Sequence, residues 1–477
     1  AITPQDGFNL EVVDQINPHY VIVKLASPAH NWFAGTFTNL PTDKEVTIGL
    51  SMTGNDTKGN AADVKKWEGL VPVMTYADPT QYEAYEWFQK DAQGRWVSDD
   101  PFKKGEARYA GTSRIPAQTV ISNEVAEQFL SANGQEWSAW REVDEANAIP
   151  TLNIFRVTMR FAYPTATVAM RVPYTYTYLQ AFITRLRERN RADVQIHQIG
   201  MTPGKRSLQA IFFPALYPRE PISQQQTVLV IAREHATEPD SSWVAQGVIR
   251  TLLNTTPEVQ GIRTQTNWII IPIEDPDGSA DAIFDRLTEA FKKTNDPPVP
   301  SEVLDYTRYF ADYIAGGRTI DVAVSLHSVE ANECPHLFCP FVDFGIPTQV
   351  TTINTHFFSA AQAAGFQTGA PGESWAYGIM SFRLYGWCAN HYRTLDLAYE
   401  INSRYPAHRL SLSQTHRLGN LLVNTLTWWV SGDAGKDWHR KTWQIVEALR
   451  IRRQAYFKTL NRSPETRTPH ELVNLGY

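Results

Sequence analysis

Cysteine is scarce: Cys334, Cys339 and Cys388 are the only three in 477 residues, and no two form a C-x-x-C pair. That is too few for a disulfide framework, and all three read as buried thiols. No uninterrupted apolar stretch reaches the roughly 18 residues a membrane span needs. A charge excess is absent too. The 44 basic and 50 acidic side chains leave a net charge of -6, which gives no electrostatic footprint for nucleic acid or for an anionic membrane. The chain also lacks His-Glu-x-x-His, a G-x-S-x-G elbow and a phosphate-cradling glycine loop, so three common catalytic layouts drop out.

What remains is an ordinary globular composition, 43% hydrophobic and 20% charged, long enough for two or three domains. As far as about Pro173 the chain reads as short strands with turn punctuation, for example His19–Ala26, Trp32–Thr38, Glu45–Ser51, Leu70–Tyr76, Leu152–Phe161 and Ala166–Val172. Such β-branched and aromatic runs predict an antiparallel β-sandwich over residues 1–172. A polar excursion over Asp91–Arg114 and a short helix within Pro116–Leu130 interrupt it. Beyond Pro173 strand and helix alternate, which predicts an α/β/α domain over 173–432. Residues 433–477 form a basic, Trp-rich extension, with Trp438 and Trp443, expected to be helical and packed on the domain before it. A chain beginning at Ala1 suits removal of a signal peptide. The expected compartment therefore leans to secreted or periplasmic, with the cytoplasm as the alternative.

The most informative stretch is Thr227-Val-Leu-Val-Ile-Ala-Arg-Glu-His235-Ala-Thr-Glu238. A buried strand empties into a His and a Glu three residues apart, and a helix is expected from about Ser242 to Leu253. In an open α/β sheet, ligands collect at the carboxyl ends of strands. A lone His-x-x-Glu is common by chance, and His327-Ser-Val-Glu330 is a second one. Other strands lead to the same rim: Ile320–Leu326 delivers His327, Thr394–Ile401 carries Asp396, Ala398 and Glu400 on one face, and Trp268–Glu274 ends in Asp275-Pro-Asp-Gly278. Two histidines and a glutamate with a fourth position open are the donor set of hydrolytic zinc sites. One zinc per chain is therefore expected on His235, Glu238 and His327, with Glu330 as an alternative ligand. Glu400, with Asp396 as its rival, is the candidate base that takes a proton from water and hands it to a leaving amine.

Ala232-Arg-Glu-His235-Ala-Thr-Glu238-Pro-Asp-Ser-Ser-Trp-Val244 resembles the first metal motif of the M14 metallocarboxypeptidases, in particular their cytosolic carboxypeptidase branch. Val172-Pro-Tyr-Thr-Tyr-Thr-Tyr-Leu-Gln180 is similar to that branch's junction between its N-terminal β-sandwich and its peptidase domain. Asp275–Gly278 resembles its Asn-Pro-Asp-Gly turn, and Ser325-Leu-His327-Ser its second metal motif. The resemblance implies a zinc hydrolase of peptide or protein substrates, with His235, Glu238 and His327 as ligands, Glu400 as general base and Arg286 polarising the scissile carbonyl. One departure stands out. Where the family binds a terminal carboxylate with Asn-Arg, this chain has Asn295-Asp296, and Arg383 and Arg393 are candidate replacements. That opens two alternatives: an endopeptidase or amidase acting on modified or branched peptides, and a non-catalytic metal-binding relative.

Overall fold

The computed structural model describes residues between 2 and 432. Residues 433–477 lie outside the description, as do 26–31, 52–68, 91–95, 99–135, 288–300, 330–337, 370–375, 378–393, 404–408 and several shorter stretches. The C-terminal extension, the 91–114 excursion, the helix within 116–130, Asn295, Asp296, Glu330, Arg383 and Arg393 thus fall outside the described residues.

Up to Ala169 the described elements are strands. In chain order they are β1 (Ile2–Thr3), β2 (Leu10–Asn17), β3 (Tyr20–Leu25), β4 (Ala34–Phe37), β5 (Val46–Ser51), β6 (Val73–Thr75), β7 (Trp87–Lys90), β8 (Trp96–Ser98), β9 (Glu136–Ser138), β10 (Arg141–Glu142), β11 (Ala148–Pro150), β12 (Ile154–Met159) and β13 (Ala166–Ala169). There are two five-stranded sheets, ordered β1-β4-β13-β6-β10 and β11-β12-β5-β3-β2, and a separate small β8-β7-β9 sheet. Period-2 patterning explains how the first two meet. Val46, Ile48 and Leu50 of β5 are buried and enter one core with Phe37, Met74 and Val168 of the other sheet. Phe33 and Phe155 meet there at 6.3 Å between ring centroids.

The second half is built on one eight-stranded mixed sheet. Its strands are β14 (Gln195–Met201), β15 (Ser207–Phe213), β16 (Gln226–Ala232), β17 (Thr266–Ile271), β18 (Val322–Ser328), β19 (Phe338–Val342), β20 (Ala376–Tyr377) and β21 (Leu395–Ile401), in the order β14-β15-β17-β16-β18-β21-β19-β20. The four central strands, β17, β16, β18 and β21, run parallel. Described helices are α1 (Tyr176–Glu188), α2 (Pro239–Leu253), α3 (Pro257–Ile262), α4 (Pro276–Asp281), α5 (Ser301–Ala315), α6 (Pro347–Ala363) and α7 (Leu412–Ser431). Tyr306, Phe310 and Tyr313 of α5 cover one sheet face with Leu229, Ile231 and Ala323, while residues of α2, α6 and α7 share the other core with Val228, Val230 and Val324. Helices therefore flank both faces, and both sides of the central strands are apolar, as parallel sheets require.

The N-terminal sheets depart from the expected antiparallel pairing, because β3 pairs with β5 in parallel, and among the element boundaries two differ in ways that bear on the site. The helix after Glu238 begins at Pro239 rather than Ser242, because Pro is suited to a first helical turn and Asp240, Ser241 and Ser242 are buried within it. The strand expected over Trp268–Glu274 stops at Ile271, since Pro272 has no N–H for the ladder. Helix α2 is buried almost throughout. It crosses α7 in backbone contact: a Cβ on Gly247 would stand 2.3 Å from His416 O, and one on Gly419 would stand 2.4 Å from Val244 O.

The two halves share a seam of aromatic rings. Trp243 of α2 lies 5.6 Å from Tyr85, 4.7 Å from Tyr174 and 5.1 Å from Tyr178 between ring centroids, and its Nε1 donates to Val172 O at 3.0 Å. Tyr174 and Tyr178 of the run after Pro173 are thus buried against α2 and against a residue of the N-terminal half.

The far end of α2 is held by charge. Arg263 and Arg191 both grip Asp193, with Arg263 Nη1 to Oδ2 at 2.7 Å and Arg191 Nε to Oδ1 at 2.9 Å, and they also donate to Leu252 O and Leu253 O. Burial pushes the Asp193 carboxyl up, but hydrogen bonds and charge from the two arginines pull it well below the usual carboxylate range. A depressed folded pKa adds stability above the unfolded value, about 3.9, and the gain is lost as pH falls through the folded value. Asp193→Asn is expected to cost about 1–2 kcal/mol at pH 7 after allowing for partial solvent screening. In urea titrations the gap from wild type should narrow below about pH 4. A gap that is the same at pH 7 and pH 3 would contradict the ion-pair account.

Candidate metal centre

The rim is made where β16, β18 and β21 end together. Register sets Ala232 against Leu326 and His327 against Glu400. His327 and Glu400 are therefore parallel-strand neighbours on one sheet face, the face that also carries Ser325. Asp396 pairs with Ala323. It sits four residues back along β21, about 13 Å from Glu400 along the strand. The register brings Glu400, and not its rival, to the rim.

After β16 the chain turns sharply. Arg233 has φ 65, a left-handed conformation uncommon for a side chain of this size. Its guanidinium is buried and holds the turn in place: Nε donates to Ala236 O at 2.7 Å, Nη2 also reaches Ala236 O, and Nη1 donates to Tyr174 O at 3.0 Å. Burial lowers its pKa to about 10, with Glu238 first among the carboxylates that work against that fall. The arginine two residues before the histidine is thus a brace for the ligand loop. From the other side, Glu274 N donates to Ala232 O and Asp275 N to Arg233 O. A Cβ on Gly278 would stand 2.7 Å from Ala236 Cβ, so the Asp-Pro-Asp-Gly turn needs glycine to pack against the same loop.

The three expected ligands converge. His235 Nδ1 is 2.9 Å from Glu238 Oε1, His327 Nδ1 is 3.2 Å from Glu238 Oε2, and the two Nδ1 atoms are 3.3 Å apart. Donor atoms around a tetrahedral zinc with bonds of about 2.1 Å lie about 3.4 Å from one another, so the triangle has nearly the required size. The chemistry fits as well. Lone-pair atoms facing one another at this range call for a cation between them, and among the described residues this is the one group of His, Cys, Asp and Glu side chains so gathered. His327 Nε2 lies 3.0 Å from Ser325 Oγ, and donation to that hydroxyl leaves Nδ1 with its lone pair facing the centre. Ser328 N donates to Glu238 Oε2 at 2.9 Å. Burial pushes the Glu238 carboxyl up, but the His235 and His327 rings override it and hold it well below the usual range. His327 and Glu238 are buried, and His235 is the most open of the three with 12% of its side chain exposed, which leaves one side for approach.

Arg286 is tied to the Asp275 turn that bonds the ligand loop, in a clamp that sequence reading did not foresee. Its Nε donates to Asp275 Oδ1 at 2.8 Å, and Nη2 reaches both Asp275 Oδ1 and Glu302 Oε1. Both acids are fully buried. Burial lifts the Asp275 carboxyl to about 6 against the opposing pull of Arg286, while the two carboxylates hold the Arg286 guanidinium more firmly protonated than usual despite its burial. Asp275 stands where the related turn has Asn, but that change alone names no partner for it. Ser325, two residues before His327 on an alternating strand, is the partner that local sequence could have indicated. Glu302, Asp240 and Ser403 gave no local sign.

Comparison with known proteins agrees with this geometry. Residues 179–327 match the Peptidase_M14 family, zinc carboxypeptidase, a span that contains all three converging residues and ends at His327. Cytosolic carboxypeptidase 6 from Homo sapiens is 30% identical over 106 residues, which is 22% of this chain and 21% of that protein, and the Mus musculus protein of the same name is 28% identical over 106 residues, 20% of its length. The chain thus aligns with only about a fifth of each of these relatives. Solved structures share the fold over nearly the whole length. A metallo-carboxypeptidase from Pseudomonas aeruginosa, crystallised with (2-guanidinoethylmercapto)succinic acid, has TM-score 0.57 and 15% identity, covering 90% of this chain and 99% of its own. A metallo-carboxypeptidase from Burkholderia cenocepacia has TM-score 0.56 and 15% identity, covering 90% and 98%. Over residues 179–327 the chain thus matches an M14 zinc carboxypeptidase domain, and the solved structures share its fold over most of the length. The names of these relatives give the expected secreted or periplasmic location no support. No described helix is long and apolar enough to cross a membrane.

If the three donors hold one zinc, His327→Ala leaves two. Zinc affinity measured by chelator competition should then fall by more than the roughly 10–100-fold typical of losing an outer partner. An unchanged affinity would remove His327 from the ligand set.

Proposed function

We propose that this protein is a zinc-dependent peptidase that hydrolyses amide bonds of peptide or protein substrates, with one zinc per chain held by His235, Glu238 and His327. The observation that carries this reading is the 2.9–3.3 Å triangle of donor atoms with Glu400 in register beside it. A zinc ion bound there would supply Lewis-acid chemistry, polarising a carbonyl and lowering the pKa of water.

The chain's own residues do the rest. Glu238 faces both histidines with separate oxygens, and Ser328 N holds its Oε2 in that orientation. Ser325 fixes the ring of His327. Glu400 is buried at the rim, and its carboxylate accepts the proton of the attacking water and passes it to the departing amine, so that no free amide anion is expelled. Arg286, kept cationic by Asp275 and Glu302, presents its positive charge where the carbonyl oxygen gains negative charge. The N-terminal sheets, residues 1–172, act as a β-sandwich docked on the peptidase domain of 173–432. The shared Tyr85–Trp243 seam supports that docking.

Asn295-Asp296, in place of Asn-Arg, lacks the guanidinium fork suited to a terminal carboxylate. The same hydrolytic machinery therefore also serves the second reading, an endopeptidase or amidase acting on modified or branched peptides.

The experiment is digestion of a peptide library read by mass spectrometry, with zinc and with a chelator. Wild type should cleave only with zinc, and Glu400→Gln should lose about a hundredfold or more in kcat while its zinc content stays at one per chain. Zinc-loaded wild type that cleaves nothing would reduce the protein to a metal-binding relative without catalysis.

A further inference from the structure

Arg171 lies just past β13, in the N-terminal half of the chain, and is only 1% exposed. Its guanidinium nevertheless reaches the catalytic rim of the other half. Nη2 donates to Val329 O, and Nε stands 3.7 Å from Asp240 Oδ2. The same Asp240 oxygen accepts from Ser403 Oγ. Val329 N in turn donates to Ile401 O at 3.3 Å, which ties the ends of β18 and β21 together.

The positions of these partners along the chain matter more than their number. Val329 follows His327 by two residues, Asp240 follows Glu238 by two, and Ser403 follows Glu400 by three. One buried guanidinium thus touches, directly or through one carboxylate, each of the three segments that bring a donor or a base to the rim. Asp240 and Ser403 are both nearly inaccessible to water, so these contacts are unscreened. A buried ion pair is weak evidence for stability, because desolvation offsets much of its attraction. A planar guanidinium that donates to a carbonyl and faces a carboxylate at ion-pair range still links the elements that carry them.

We propose that Arg171 is a positioning residue through which the N-terminal half sets the separation of the His327, Glu238 and Glu400 segments, and with it zinc affinity and proton transfer. This rests on the zinc-site reading above. The N-terminal half then completes the metal centre although it supplies no ligand.

The test compares wild type, Arg171→Met, Arg171→Lys and Ser403→Ala, with Val23→Ala, a buried residue of β3 in the sheet that does not contain β13, as a core-weakening control. Three quantities are read: the zinc dissociation constant by chelator competition, the visible spectrum of the cobalt-substituted protein, and kcat separately from KM. Arg171→Met should raise the zinc dissociation constant by about tenfold or more, alter the cobalt spectrum, and lower kcat more than it raises KM. Arg171→Lys restores the charge without the fork and should fall between Met and wild type. Val23→Ala should lower the melting temperature and leave zinc affinity and spectrum at wild-type values. Arg171→Met with wild-type affinity and spectrum overturns the proposal. Should that variant fail to fold, Ser403→Ala decides: a raised dissociation constant or altered spectrum supports the network, and wild-type behaviour in both overturns it. A wild-type chain that takes up no zinc overturns the site reading itself, and the proposal with it.

Discussion

Parallel register among β16, β18 and β21 is the constraint on which the rim depends. Side chains alternate across a sheet, so a slip of one residue between β18 and β21 would send Glu400 to the face opposite His327. The apolar residues below the rim keep that from happening. Val322, Val324 and Leu326 share one core with Val228 and Val230, while Ala323 joins Leu229, Ile231 and Ala398 on the other face. Only at the last turn of the pleat does the second face become polar, with Ser325, His327 and Glu400. The same ladder that buries the core thereby aims the donors.

Electrostatics at the rim follows from crowding acids in a place where water is excluded. Glu234, Glu238, Glu274, Asp275, Glu302 and Glu400 are all buried. Such a concentration of carboxylates is tolerable only with cations set among them. Arg286 answers Asp275 and Glu302, Arg171 answers Asp240, and the imidazoles of His235 and His327 face Glu238. A divalent ion at the His-Glu-His triangle extends the same logic. Such an ion would let the donor atoms stay buried at 2.9–3.3 Å instead of turning away from one another.

Much of this was legible in the sequence, for identifiable reasons. Continuous β-branched runs such as Thr227–Ile231 announce buried parallel strands, and a histidine or carboxylate at the end of such a run has few places to be except the rim. Position along β21 also separates Glu400 from Asp396 once the register with β18 is known, though alternation alone puts both on one face. Helix α2 was expected from about Ser242, whereas it starts at Pro239, and Pro239, Asp240, Ser241 and Ser242 are buried in its first turn. The Arg286 clamp and the Arg171 network were illegible for a different reason. They join residues 11 to more than 150 positions apart, and only the packing of the sheets brings them together.

The zinc-binding triangle is the claim everything else leans on, because Glu400, Arg286 and Arg171 are assigned their roles by reference to it. X-ray absorption at the zinc edge of the zinc-loaded protein tests it most directly. The account predicts one zinc per chain with only nitrogen and oxygen donors near 2.0–2.2 Å, including the outer-shell scattering of two imidazoles. A sulfur shell near 2.3 Å, which would bring in one of the three cysteines, or the signature of a single imidazole would contradict it.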